Sequence, residues 1–595
     1  MQDEIPKLFL QIEEALASGL YVAGYMSYES GYHFERFDVM EKSADPLPLA
    51  WFGVYLKPLI YDHETGTVEG TWASPPVEQA LGKTAGCEPD PSTAKTALEE
   101  MPVRFADRAT LGLEEEDYCA KIERIQQYIG AGDTYQVNFT SKVRMAVTLS
   151  ADAAFRTLLR QQPVAYGAFL HVAGHHILSL SPELFFKTEQ GRILTRPMKG
   201  TMPRGLDAGE DAETAIRLGN DEKNRCEHVM IVDLLRNDLG RICTMGSLRV
   251  EDLFSVEKYE TLLQMTSTIS GTLRPGLGYY EIFKSMFPSG SITGAPKIRT
   301  MQIIREMEEA PRGIYTGSIG FMAPDGSSAF NVAIRTVVLQ GKDASMGVGG
   351  GIVADSDPAA EYRECLLKAA FLTRTRPEFQ LLETMLWDGR FPFLLEHLDR
   401  LEASAAYFDF ELDRSSVAAR ITAIADLFDP GARYRVRLLL DAAGRVTITH
   451  RPHTPDPSPM RIRLSPERTS SGDVFLRHKT THRKLYDRLY AEALADGFDE
   501  VIFMNEREEL TEGAISNLFL RKAGRLITPP LLSGVLPGVL RRHLLETDAA
   551  AEEGILTLQE IQSADAVFLC NAVRGIRPVR SLLLAPSTRL EFDSL

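Results

Sequence analysis

Apolar positions change their period along this chain, and the changes mark the elements. From Glu115 to Gly130, Tyr118, Ile122, Ile125 and Ile129 recur at helical spacing. Past Gly130 and Gly132 the period drops to two. Tyr135, Val137, Phe139, Val143, Met145 and Val147 then share one face of a predicted strand, with Gln136, Asn138, Thr140, Lys142 and Arg144 opposite. Such a strand suits a sheet whose polar side lines water or a site. Helical patterns return over Asp221 to Ile242 and over Pro358 to Leu372, the latter with Asp357 as N-cap and Pro358 at N1. Pro377 disfavours helix at the residue before it, and a strand-like run, Phe379 to Leu386, follows. The boundary is therefore placed at Thr373 to Pro377, giving domains 1–375 and 376–595. Residues 74–107, rich in Pro, Ala, Thr and Glu, read as a mobile surface excursion. The second domain carries apolar strands at Val501 to Met504 and Leu518 to Leu520. Helical patterns lie at Leu485, Leu489 and Ala493, and over Val539 to Leu545.

A length of 595 residues exceeds one core and predicts several domains. The charge, 65 basic against 82 acidic residues, is −17, which argues against nucleic acid or an anionic membrane as partner. Anionic small ligands need only a local cluster and stay open. Six cysteines, Cys87, Cys119, Cys226, Cys243, Cys365 and Cys570, never form a C-x-x-C pair, so a reducing compartment is expected. The acidic start shows no signal peptide, and no stretch has the apolar length of a membrane span. A cytoplasmic protein is expected.

Candidate chemistry gathers in both domains. Glu361, Glu364 and Lys368 fall on one helix face, and Glu227, Asp233 and Asp238 lie on the 221–242 helix. Carboxylates from two helices, with water and an anionic ligand, can hold Mg²⁺, although spacing alone favours solvated faces. Gly347, Gly349, Gly350 and Gly351 precede no helix, which rules out a dinucleotide loop and leaves close ligand approach or strand packing. Lys199, in Thr195 to Thr201, reads as a strand leading into a turn. In the second domain Lys479 stands just ahead of a helix and Glu512 between two apolar strands, where an unpaired carboxylate would be costly. Pro537-Gly538 opens a helix whose N-terminus suits phosphate. Taken singly, these read as a surface lysine, a turn acid and a helix cap.

Taken together, the words of the first domain resemble the chorismate-utilising enzymes. They are GDTYQVN (132–138), SPE (181–183), PMKGT (197–201), EHVMIVDLLRNDLGR (227–241), PSGSITGAPK (288–297), YTG (315–317), AIRT (333–336) and Gly349 to Lys368. The resemblance implies an α+β fold of two large antiparallel sheets flanked by helices. It implies Mg²⁺ on Glu227 and Glu364 with Glu361 in support, and Glu183 as general acid. Arg335 and Tyr315 would hold the carboxylate end of chorismate, with Gln136, Ser291, Gly349, Gly350 and Lys368 also lining the substrate. Anthranilate synthases usually carry Ala where Lys199 stands, so that ammonia attacks ring carbon 2. Aminodeoxychorismate synthases carry Lys, whose amine attacks carbon 2 before ammonia adds at carbon 4. That amine must be unprotonated, and Arg196 and Arg204 are the nearby charges expected to depress its pKa. Some relatives have His at one or both positions matched by Leu263 and Gln264.

The second domain resembles class IV, branched-chain type aminotransferases through ET (383–384), HLDRL (397–401), HKTTHR (478–483), TEGAISNLF (511–519), TPP (528–530), LPGV (536–539) and CNA (570–572). That implies an α+β domain binding pyridoxal 5′-phosphate. Lys479 would hold the cofactor aldehyde and Glu512 would pair with its ring nitrogen. Arg400, Val539, Leu540 and Asn571 would hold its phosphate. Three activities share this scaffold: branched-chain transamination, D-amino acid transamination and aminodeoxychorismate lyase. Fusion to a chorismate-aminating domain favours the lyase, which would yield 4-aminobenzoate, the folate precursor. The alternatives are a transaminase or an idle scaffold in the second domain, or an anthranilate synthase component I in the first. No Gly-x-Cys-x-Gly elbow occurs, so chorismate and free ammonia, or ammonia from a separate glutamine amidotransferase subunit, are the expected substrates. The class also allows a homodimer through the second domain.

Overall fold

The computed structural model describes residues 4–34, 47–61, 67–69, 104–260, 262–375, 377–585 and 588–592. Residues 74–103 of the expected surface excursion lie outside them. The chain divides into two compact units, Met1–Pro203 with Ala215–Arg376, and Arg204–Thr214 with Pro377–Leu595.

The first unit is built on two antiparallel sheets. One has nine strands in the order Met198–Pro203, Leu262–Thr272, Arg192–Arg196, Leu184–Glu189, Ser328–Val332, Ser318–Met322, Tyr21–Met26 and Ala50–Tyr55, with Arg249–Lys258 on Leu262–Thr272. The other has seven, running Gly294–Ala295, Gln136–Ala146, Asp343–Ile352, Thr336–Gln340, His175–Ser181 and Tyr166–Val172, with Ala109–Leu111 on Gln136–Ala146. A continuous apolar cluster, including Tyr118, Ile122, Val137, Phe139, Phe186, Leu235, Phe283 and Val348, joins sheets and helices. The Glu115–Gly130 helix forms as its periodicity dictates, burying Tyr118, Ile122 and Ile125. Asp221 caps the Glu222–Gly240 helix by accepting from the Asn224 N–H. Asp357 does the same for Pro358–Ala369, accepting from Ala360.

The period-two strand departs from its pattern in two ways. Tyr135 precedes Gln136–Ala146 and is exposed. Its polar face is not wet at the start either: Gln136, Asn138 and Thr140 are buried. Neighbouring structure absorbs some of these groups, since the Thr140 N–H and Oγ1–H both donate to Glu308 Oε1.

The second unit has a three-stranded antiparallel sheet, Leu381–Trp387, Tyr434–Leu440 and Val446–Pro452, over a core of Met385, Leu401, Ile421 and Leu438. A nine-stranded mixed sheet runs Leu510–Gly513, Glu500–Met504, Met460–Leu464, Gly575–Ala585, Ala566–Asn571, Asn517–Lys522, Arg525–Thr528 and Ala551–Glu553, with Thr588–Glu591 on Gly575–Ala585. Its parallel pairs include Met460–Leu464 with Glu500–Met504. Helices Lys484–Ala495 and Val539–Thr547 stand where their patterns predict. No helix among the described residues is long and apolar enough to cross a membrane.

Candidate functional site

Glu183 lies between strands His175–Ser181 and Leu184–Glu189 and is buried. Its carboxylate accepts a hydrogen bond from Ser291 Oγ at 2.7 Å, across 108 positions of sequence. Burial raises the Glu183 pKa to about 7, while the Ser291 bond and the Lys199 charge pull the other way. A carboxylic acid of that pKa holds a proton near neutrality and can release it, which is what a general acid requires.

Lys199 is brought within electrostatic range of this carboxylate by a local irregularity. On strand Met198–Pro203, Met198 pairs with Thr266 and Thr201 with Gln264, so three steps on one strand face two on its neighbour. The extra residue is a β-bulge, a device that re-aims a side chain. Gly200 completes it at φ 76°, a left-handed conformation that glycine adopts without steric cost. Gln264 holds the bulge, its Nε2–H donating to Gly200 O at 3.2 Å while its Oε1 accepts from Thr201. Gln264, where some relatives have His, thus supports the turn that carries Lys199.

Burial lowers the Lys199 pKa from its ordinary value and Lys368 adds to the effect, against the pull of Glu183, Glu227 and Glu364. The expected contribution of Arg196 and Arg204 is corrected: Arg196 is paired with Glu257 and Arg204 with Asp211. Gln136 completes this group. A Cβ on Gly351 would stand 2.4 Å from Gln136 Nε2 and 3.3 Å from Lys199 Nζ, so glycine lets both side chains converge there. Among the described residues, both polar atoms of the buried Gln136 amide lack a hydrogen-bond partner. An unsatisfied buried amide is costly and marks a place for a ligand to bind.

Glu227, Glu361 and Glu364 bring two helices to the same region. Burial raises the Glu227 pKa, with Asp355 and Glu364 adding to it against Lys199 and Lys223. Burial also raises that of Glu361, whose carboxylate accepts from Ser356 Oγ and lies against Gly350. Lys368 Nζ pairs with Glu364 at 2.6 Å and donates to Gly349 O at 2.8 Å. Asp233 and Asp238 do not join them: Asp233 pairs with Arg236, and Asp238 with Lys297. Among the described residues no three acidic, His or Cys side chains form a group that could hold a metal ion. The donors fit Mg²⁺ in its open form, one or two carboxylates completed by water and an anionic ligand, and such a cation would relieve their like-charge crowding.

Arg335 has φ 48°, left-handed for a non-glycine residue, a kind of strain that clusters at functional sites. Its Nη1–H donates to Gln162 Oε1 at 2.7 Å, and its backbone carbonyl accepts from Leu180 N–H. Tyr315 is buried with its ring against Gly347, beside a cleft bounded by Thr140, Arg144, Glu308 and Arg312. No side-chain hydrogen bond among the described residues joins either to Glu183 or Lys199. The sequence reading missed the Lys223–Asp355 ion pair beside Glu227 and the buried His228, which meets Ser267 Oγ at 2.7 Å. Charged residues in a helix's first turn read as solvated until the neighbouring loop is placed.

In the second unit burial lowers the Lys479 pKa to about 8, helped by Arg400 and Arg483 and opposed by Glu383 and Glu512. Its backbone carbonyl accepts from Leu382 N–H at 2.8 Å. Burial raises the Glu512 pKa to about 7. Its carboxylate accepts from three neutral donors, Tyr486 Oη–H, Asn517 Nδ2–H and Leu536 N–H. Arg400 donates to Glu383 through Nε and Nη2, and to Pro537 O through Nη1. Gly538 follows as N-cap of the Val539–Thr547 helix, and a Cβ there would meet Asn517 Oδ1 at 1.8 Å. Leu540 packs with Phe519 and Cys570, while Asn571 donates to Ile515 O and accepts from Val573 and Arg574 N–H. A low-pKa lysine, a buried carboxylic acid and an arginine at a helix N-terminus fit pyridoxal phosphate.

Residues 4–374 match the family model described as chorismate binding enzyme, and residues 380–582 that of class IV amino-transferases. The chain is 37% identical over 388 residues to an aminodeoxychorismate synthase of Streptomyces griseus, covering 63% of this chain and 52% of that one. It is 36% identical over 374 residues to an anthranilate synthase component 1 of Streptomyces coelicolor, covering 60% of this chain and 72% of that one. It therefore spans about half the length of the first relative. A solved anthranilate synthase component I from Streptococcus pneumoniae matches with a TM-score of 0.51 at 27% identity, over 60% of this chain and 81% of that one. The chain belongs to the chorismate binding enzymes, with a class IV amino-transferase domain following in the same polypeptide.

Proposed function

We propose that this chain converts chorismate and ammonia into 4-aminobenzoate, the folate precursor, in two steps. Relatives named for 4-amination and for 2-amination are almost equally similar in sequence, so the product has to be argued from the site. The observation that carries the reading is the convergence of Lys199, its pKa lowered, with Glu183, its pKa raised.

In the first step the neutral Lys199 amine attacks carbon 2 of chorismate as the ring double bonds shift. Glu183 gives its proton to the departing 4-hydroxyl, which leaves as water. Ammonia then bonds to carbon 4, the double bonds shift back and the C2–Nζ bond breaks. The surplus proton of the ammonium group can return to Glu183. Mg²⁺, held by Glu227 and Glu364 with Glu361 behind them, would fix the ring carboxylate and offset its charge. Gln136 offers its unsatisfied amide to the ring side, and the Arg335 fork suits the side-chain carboxylate.

Pyridoxal phosphate would be held by Lys479, Glu512, Arg400 and the Val539 helix end, and when bound it supplies an electron sink for the 4-amino carbon. Lys479 takes the carbon-4 proton, the bond between carbon 3 and the enolpyruvyl oxygen breaks as the ring becomes aromatic, and the departing enolate takes that proton from Lys479 to leave as pyruvate. Its pKa of about 8 leaves a usable unprotonated fraction near neutrality. A separate glutamine amidotransferase is the proposed ammonia source in the cell.

The test is to supply chorismate, ammonia, Mg²⁺ and pyridoxal phosphate and to identify the product by chromatography and mass. 4-Aminobenzoate is expected. 2-Aminobenzoate would overturn the role given to Lys199, and 4-amino-4-deoxychorismate accumulating unconverted would point to a transaminase in the second unit.

A further inference from the structure

Arg400 does not stand alone at the Val539–Thr547 helix. Its guanidinium meets Glu383 side-on, Nε to Oε1 at 2.8 Å and Nη2 to Oε2 at 2.7 Å. His397 Nδ1 lies 2.7 Å from the same Glu383 Oε2. Glu383 and His397 are buried at 2% and 3% exposure, and the Arg400 side chain at 10%. His397 and Arg400 are three positions apart on the Leu394–Phe408 helix and so share a face, which turns toward Glu383 on strand Leu381–Trp387. The remaining contact, Arg400 Nη1 to Pro537 O at 3.1 Å, ties the head to the residue just ahead of the Gly538 cap.

We propose that Glu383 and His397 are positioning residues that hold Arg400 as the phosphate anchor of the second unit. This rests on the pyridoxal phosphate reading given above. Of the five N–H bonds of a guanidinium, three are spent on Glu383 and Pro537, which leaves two to point elsewhere. The Glu383–Arg400 pair carries no net charge, so what it gives a phosphate is orientation, while the helix end adds its own N–H groups. A long arginine with no such partner would need to be ordered each time the cofactor arrived. His397 holds the Glu383 carboxylate in turn, so the order runs from helix to strand and back to Arg400. The same strand also holds the Lys479 carbonyl through Leu382 N–H. Glu383 thereby sets the phosphate anchor in register with the lysine.

The test compares pyridoxal phosphate with pyridoxal, which lacks only the phosphate. Both are titrated into the full chain and followed by the visible absorbance of the lysine-bound form. Glu383→Gln keeps shape but removes the charge, and should lower the preference for pyridoxal phosphate over pyridoxal by at least about tenfold, the size of one charge-assisted hydrogen bond. Pyridoxal affinity should stay near wild type. His397→Gln keeps the ion pair and should lower the preference by less, and Arg400→Lys should lower it as far as Glu383→Gln. A preference unchanged in both the Glu383 and His397 variants overturns the proposal. An equal loss for both ligands also overturns it, because that is what mere unfolding of the site would give. Failure of the wild type to take up pyridoxal phosphate would instead defeat the cofactor reading itself.

Discussion

Replacing Ser291 with alanine probes the acid directly. The Ser291 hydroxyl donates to Glu183 at 2.7 Å, and both residues are buried. The bond stabilises the ionised carboxylate and so holds its pKa down to about 7 against the push of burial. A buried hydrogen bond to a charged group contributes about 1.5–3 kcal/mol, and one pKa unit corresponds to about 1.4 kcal/mol. Losing the bond should therefore raise Glu183 by about one to two units. The sign follows from the role proposed for Glu183: the protonated acid would be the active form, so activity falls as pH rises through its pKa. In wild type the alkaline limb of kcat/KM for chorismate should lie near 7, read with free ammonia held constant at every pH. In Ser291→Ala it should move up by about one to two units. Glu183→Gln should lose the limb altogether, along with about 10²–10⁴ in rate. A limb that stays in place in Ser291→Ala, or persists in Glu183→Gln, would show that another group supplies the proton.

Lys199→Ala should abolish 4-aminobenzoate and open a route to 2-aminobenzoate, since ammonia can then reach carbon 2; wild-type yields of the 4-isomer would end the covalent reading. Gly351→Ala puts a methyl against Gln136 Nε2 and Lys199 Nζ, and should cut amination more than about tenfold while leaving the thermal midpoint within a few degrees. Glu364→Gln should raise the Mg²⁺ concentration needed for half-maximal amination by about tenfold or more, and chelation should stop wild-type amination reversibly; activity indifferent to Mg²⁺ would remove the metal from the site. Glu183→Gln should also stabilise the fold at pH 8. A carboxyl raised from 4.5 to about 7 favours the folded chain fully below 4.5 and loses that contribution as pH rises through 7, about 3 kcal/mol in all. The gain should vanish near pH 4, as melting curves at the two pH values would reveal.

Much of this was legible in the sequence, because helices with a cap at one end and a strict apolar stripe leave little freedom. Glu115–Gly130, Glu222–Gly240 and Pro358–Ala369 form within a few residues of where periodicity puts them. The site words were legible through resemblance rather than through pattern, since Glu183 and Ser291 lie far apart in sequence and meet only when the sheet folds. What could not be read was the orientation of charges. Arg196 and Arg204 stand near Lys199 in the chain, yet Glu257 and Asp211 claim them, and the effect passes to burial and Lys368 from a distant helix. Tyr135 fell on the apolar parity but lies one residue outside its strand. The Glu383–Arg400 pair joins a strand to a helix across a turn, and alternation within either element carries no sign of it.

The bulge beneath Lys199 means that the identity of the residue and the count of residues before Thr201 jointly decide where its amine goes. Side chains on a strand alternate, so deleting Gly200 to restore regular pairing would turn the lysine to the opposite side of the sheet without altering it chemically. Grafting lysine into a 2-aminating relative would therefore transfer 4-amination only where the recipient strand carries the same extra residue and a neighbour that can fasten it, as Gln264 does here. On the role proposed for Lys199, regiochemistry in this chain is partly a matter of strand length, open to insertion and deletion as well as to substitution.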